Sequence, residues 1–145
     1  MPASLRRALA RPRFWWLAFA GWILFLAIYD SVKIGHPGIP LNHIDKLYHF
    51  GYFFAGAFAV SMALDLSAKA PSLRNALIVL TLFAVLGAAD EFYQSFQPHR
   101  SGNDLGDWIA DMLGALAGLV AARRFLRNFY SCGVKNSTHD TGSGI

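Results

Sequence analysis

A chain of 145 residues that is 54% hydrophobic and only 15% charged, with a mean hydropathy of +0.34, is too apolar for a water-soluble domain and has the composition of a membrane protein. Its net charge of +4 comes from basic residues gathered at segment ends rather than along one face, which argues against a nucleic-acid partner and fits membrane orientation. One cysteine, Cys132, excludes a disulfide framework or a thiolate metal centre built from a single chain.

The prolines Pro2, Pro12, Pro37, Pro40, Pro71 and Pro98 all fall outside the longest apolar runs and mark connections. Residues 1–13 form a basic N-terminal segment carrying Arg6, Arg7, Arg11 and Arg13. The first span covers 14–30, where the uncharged run Phe14 to Tyr29 crosses most of a hydrocarbon core about 30 Å thick. No small-residue cleavage site follows it, so it reads as an uncleaved anchor. The second span covers 43–64, and the polar stretch Asp65 to Arg74 makes a tight hairpin link.

The third and fourth spans are short of apolar residues. Fifteen residues separate Arg74 from Asp90 and eleven separate Asp111 from Arg123, whereas a crossing helix needs about twenty. Full length is reached only over 75–96 and 104–123, which carries Asp90, Glu91, Asp107 and Asp111 to or inside the membrane edge. Two half-spanning hairpins are the alternative. The expected architecture is therefore an all-α membrane protein, a bundle of four transmembrane helices over 14–127, followed by a disordered cytoplasmic tail over 128–145.

Basic residues set the orientation. With the N-terminus in the cytoplasm, Arg6, Arg7, Arg11, Arg13, Lys69, Arg74, Arg123, Arg124, Arg127 and Lys135 lie inside, leaving Lys33, Lys46 and Arg100 outside. Both termini are then cytoplasmic. Trp15, Trp16 and Tyr130 form an inner aromatic belt, and Tyr29, Tyr48, Tyr52, Tyr93 and Trp108 an outer one, with Trp22 packing at mid-span. Asp30, Asp45, Asp90, Glu91, Asp104, Asp107 and Asp111 all gather at the outer end, while no charged residue interrupts the inner half of any span.

An ionisable group within a bilayer marks a functional site unless a structural partner explains it. Asp45 and His49 share a helical face beside Lys46; Asn42 as N-cap with Asp45 in the first turn, and a buried imidazole satisfied by a carboxylate, are the structural readings. Asp90 and Gln94 share a face with Glu91 one step round, and an ion pair to Lys46 or Arg100 competes with a ligand contact. Asp104, Asp107 and Asp111 form a stripe at i, i+3 and i+7. Asn103 or Ser101 can cap that helix and Asp104 favours its dipole, but Asp111 has no such explanation. Gly114 and Gly118, with Ala110 above them, form a small-residue surface for close helix packing. His49, Glu91, Asp107 and Asp111 have metal-donor atoms, yet no His-Glu-x-x-His spacing appears, so no metal and no cofactor is expected.

These same residues resemble the VanZ-like family of small integral membrane proteins, named for a teicoplanin-resistance protein. The resemblance rests on Asp45-Lys46-x-x-His49-Phe50, on Asp90-Glu91-x-x-Gln94-x-Phe96-x-Pro98, and on Arg100 leading to Asp107-x-x-x-Asp111-x-x-Gly114-x-x-x-Gly118, and covers roughly Phe14 to Val120. His99 stands where the family commonly has Gly, Asp111 where it has Asn, and the segment from Arg100 to Asp107 is one residue longer than the usual pattern. The resemblance implies a four-helix domain of the bacterial cytoplasmic membrane, linked to the cell envelope.

The resulting expectation is a multi-pass protein whose outer pocket, lined by Asp45, Lys46, His49, Asp90, Glu91, Gln94, Arg100, Asp107 and Asp111, recognises an envelope lipid, precursor or lipoglycopeptide and affects teicoplanin sensitivity. A hydrolase or transferase using His49 and the carboxylates on a lipid-linked substrate is the enzymatic alternative. A proton or ion transporter is the second alternative. Membrane lipids are the expected partners.

Overall fold

The computed structural model describes residues 2–31, 44–96 and 104–139, and among them every regular element is an α-helix. Helices stand where the four spans are expected, with shifted ends. A short helix α1 (Ala3–Leu9) forms within the basic segment and leads into α2 (Pro12–Ser31), where Pro12 occupies the first position, the one place a helix loses nothing by lacking an N–H. α3 (Ile44–Ser67) runs on past the expected end of the second span, so Asp65 belongs to the helix rather than to the link.

The link itself is tight. Lys69 takes a positive φ of 60° just after α3, and Ser72 caps α4 (Leu73–Gln94) by accepting the Asn75 N–H at 3.0 Å. α5 (Leu105–His139) continues well beyond the expected limit of the fourth span and covers the first part of the segment read as a tail. Three helical segments, Asp45–Ser67, Leu73–Gln94 and Leu105–Tyr130, are long and apolar enough to cross a membrane. The described apolar part of α2, Pro12–Ile28, is shorter.

α3 is the central helix. It packs most extensively on α5, and α2 and α4 lie against its other sides. The α3–α5 contact depends on absent side chains: a Cβ added at Gly114 would overlap the Phe50 carbonyl oxygen, and one at Gly118 that of Phe54. The two backbones thus touch directly, the close approach that small residues permit between membrane helices. The inward positions of α5, Asp107, Ala110, Asp111, Gly114, Ala115, Gly118, Leu119, Ala122 and Leu126, follow the i, i+3, i+4, i+7 pattern and keep one stripe on the bundle.

Mid-bundle, Trp22, Phe53, Ala57, Val60, Val79, Phe83 and Ala115 form an apolar core. Trp22 donates its indole N–H to the Tyr52 carbonyl at 2.8 Å and stacks on Phe19, so its polar atom is satisfied as its ring is buried. Outside, Leu17, Leu24, Leu77, Val85, Phe92, Leu113 and Val120 stay exposed on three helices, an apolar girdle suited to lipid. Arg6 reaches the Phe129 carbonyl at 3.4 Å, and its guanidinium lies 5.3 Å from the Phe129 ring centre, which sets α1 beside the late part of α5.

Candidate functional site

The first residues of α3 and α5 and the last of α4 meet at one end of the bundle, because α3 and α5 run parallel and α4 runs back beside both. Each helix contributes polar side chains at the same depth. His49 is 6% exposed, Asp90 9%, Glu91 5%, Gln94 3%, Asp107 4% and Asp111 0%. That burial decides the character of the site: its base is a closed polar cluster, and only its rim meets solvent.

At the centre, His49 Nδ1 and Asp111 Oδ1 lie 3.0 Å apart. With the carboxylate accepting, Nδ1–H donates and Nε2 is the nitrogen that exchanges protons or ligates. The other Asp111 oxygen, Oδ2, has no hydrogen-bond partner and is buried. Gly87 of α4 leaves the room it occupies, since an added Cβ there falls 2.9 Å from Oδ2.

Both acids at the end of α4 turn inward. Asp90 Oδ2 accepts the Gln94 amide at 2.9 Å, the i to i+4 relation expected of a shared face. Glu91 Oε2 accepts the backbone N–H of Asp104 at 2.7 Å and so ties α4 to the start of α5, while its Oε1 is buried with no partner. Glu91 is thus a cap supplied by a different helix, a role that no local spacing encodes.

Asp104 itself is the N-terminal cap of α5. Its Oδ1 accepts the Gly106 N–H at 2.7 Å, whereas Asn103 and Ser101, the expected caps, lie outside the described residues. Asp104 precedes α5, and the Gly106 N–H, followed by the Lys46 ammonium, holds its carboxyl below the usual carboxylate range. Lys46 Nζ contacts Asp107 Oδ1 at 2.8 Å and Asp104 Oδ2 at 3.2 Å, so its ion pairs join α3 to α5. Gly106 makes space for that lysine: an added Cβ falls 2.8 Å from Nζ. Asp45 is exposed at the rim, and Arg100 and Asn42 lie outside the described residues.

Two sets of donors are close enough to share an ion. His49, Asp90 and Asp111 each offer a ligand atom within 4.8 Å of the others, and Asp45, His49 and Asp107 do the same nearer the rim. Trp108, expected as a membrane-interface aromatic, donates its indole N–H to the Ala84 carbonyl at 3.1 Å and fastens α5 to α4 beside the cluster.

At the opposite end stands a group that the sequence reading placed in the link. Asp65 is 1% exposed; its Oδ1 accepts the Asn75 amide at 2.8 Å and its Oδ2 the Arg123 Nε–H at 3.3 Å. Arg123 also donates to the Ser72 carbonyl. The link expected over Asp65 to Arg74 is therefore shorter than read: Asp65 lies in the last turn of α3 and Arg123 within α5, and the short Ser67-to-Ser72 connection is what brings Asn75 to them. The available signal was the count of apolar residues, which places Asp65 one residue past an eighteen-residue run free of Asp, Glu, Lys and Arg.

The chain matches no family model, no curated protein and no solved structure with which it was compared.

Proposed function

We propose that the chain is a VanZ-like protein of the bacterial cytoplasmic membrane, with four spans and both termini in the cytoplasm, whose polar end faces outward and recognises the head of an envelope lipid, precursor or lipoglycopeptide. One observation carries the reading: a histidine and several carboxylates from three apolar helices converge at a single depth, with Asp111 Oδ2 and Glu91 Oε1 buried and unpartnered. A bundle that needed these acids only for stability has no reason to leave acceptor oxygens unpaired in an apolar setting. The accessible rim of Asp45, Lys46 and Asp104 then meets the ligand, and the buried base fixes the rim in place. Basic residues concentrated at the other end, with Arg6 set against Phe129, support the orientation.

Teicoplanin and vancomycin susceptibility of a sensitive host carrying the wild-type chain or Glu91→Gln tests the proposal, with membrane abundance checked by a tag on the N-terminus. The expected result is protection against teicoplanin that Glu91→Gln removes at equal abundance. Absence of protection at equal abundance rejects the antibiotic reading, and binding of native envelope lipids to the purified protein then decides whether the polar end recognises a lipid head at all.

A second reading follows from the His49–Asp111 contact. A carboxylate on Nδ1 orients an imidazole whose Nε2 can act as general base or acid in hydrolysis or group transfer on a lipid-linked substrate. Turnover of labelled envelope lipids by purified protein, lost in His49→Ala, distinguishes it from binding alone.

A further inference from the structure

We propose that His49, Asp90 and Asp111 form a binding site for a divalent transition-metal ion, with one donor from each of three helices. The sequence carries no linear ligand motif because the donors are brought together by the parallel pairing of α3 and α5 and the return of α4. In space the three ligand atoms all lie within 4.8 Å of one another, close to the spread of donors around one ion, and all three residues are buried.

The unpartnered oxygens point the same way. Asp111 is fully enclosed, yet Oδ2 accepts no hydrogen bond, and the missing side chain of Gly87 gives that oxygen its room on the face of α4 that carries Asp90 one turn further on. Glu91 Oε1, on the next residue of the same helix, is a second buried acceptor without a donor. Such groups cost free energy unless something positive sits among them. Among the described residues, Lys46 is committed to Asp104 and Asp107 at the rim, so its charge is spent away from Asp111 Oδ2 and Glu91 Oε1.

The donor set fixes the class of ion. One imidazole nitrogen and two carboxylates suit Zn²⁺ or Mn²⁺ and disfavour thiophilic ions. Two ionised carboxylates neutralise a divalent charge. Three protein ligands leave at least one coordination position for water or for an oxygen of a ligand head, which gives the buried base a chemical role beneath the rim. The metal inference stands apart from the envelope-ligand reading, because it is tested with the metal alone.

The test uses full-length protein purified in detergent, stripped with EDTA and titrated with Mn²⁺, followed by electron paramagnetic resonance of the free ion, and with Zn²⁺, followed by elemental analysis after desalting. One ion per chain is expected, with a melting temperature that rises with metal concentration. Asp90→Asn is expected to weaken binding at least tenfold with helix content retained, a loss of about 1.4 kcal/mol or more. Gly87→Ala keeps every donor but sets a methyl group against Asp111 Oδ2, and is also expected to weaken binding. Asp45→Asn is expected to bind like the wild type. Equal binding by wild type and Asp90→Asn overturns the proposal, as does no binding of either ion at millimolar concentration. Loss of binding in Asp45→Asn with Asp90→Asn intact overturns it too, since that assigns the ion to the rim.

Discussion

The bundle buries charge at both ends, and the two ends handle it differently. At one, Asp65 has a donor for each oxygen, Asn75 for Oδ1 and Arg123 for Oδ2, and Arg123 goes on to Ser72. At the other, some 24 Å away along α3 by the rise from His49 to Asp65, Asp111 has His49 on one oxygen and nothing on the second, and Glu91 is likewise half satisfied. The apolar layer around Phe53, Val79 and Phe83 separates them. A closed network with every acceptor filled is what a structural tie looks like, whereas unfilled acceptors in a buried cluster are what a binding or reacting site retains at some cost in stability.

Breaking the closed end is expected to have the largest effect. Arg123→Ala leaves Asp65 buried with a single neutral donor, and truncating one member of a buried pair costs about 3–5 kcal/mol. Thermal unfolding in detergent should show a large loss of stability; an unchanged melting temperature would mean that Asp65 is not held by Arg123. Next comes the seam that holds the two ends in register. Gly114→Ala drives a Cβ into the Phe50 carbonyl, so α3 and α5 must part, at a cost of about 1–3 kcal/mol. Lower membrane abundance together with a lower melting temperature is the expected readout, and a neutral result would show that the helices separate freely.

Smaller effects sharpen the contrast. Trp108→Phe keeps the ring and removes the indole donor to Ala84, which should cost about 1 kcal/mol and leave antibiotic protection in place. Asp111→Asn should have the smallest effect on stability, within about 1 kcal/mol of wild type, because it removes a buried charge whose second oxygen has no partner. The same change should abolish the proposed protection against teicoplanin. If Asp111→Asn destabilises the protein as much as Arg123→Ala does, the two ends are equivalent and the functional reading of the polar end fails.

Much of this arrangement could be read along the chain. The shortfall of apolar residues before Asp90 and after Asp111 drew the acids into the helices, and their spacing on each helix gave the face that Asp90 shares with Gln94 and the one that Asp107 shares with Asp111. Gly114 and Gly118 could be assigned to packing from their four-residue interval. Asp65 was misplaced because apolar counting cannot distinguish the last turn of a helix from the link after it when the deciding partners, Asn75 and Arg123, lie on other helices. Glu91 was read as a ligand or ion-pair group, and its cap on Asp104 could not be foreseen, since a cap donated across helices leaves no local pattern.

Composition and the lengths of the apolar runs determined by themselves that this is a helical protein with segments long and apolar enough to cross a membrane and with a polar end, because those properties depend on local propensity and on the length of uninterrupted apolar chain. The tertiary structure alone decided which carboxylates are satisfied and which are left open. That outcome depends on distances of about 3 Å between side chains on different helices, which the close approach of α3 and α5 at Gly114 and Phe50 and the return of α4 bring about.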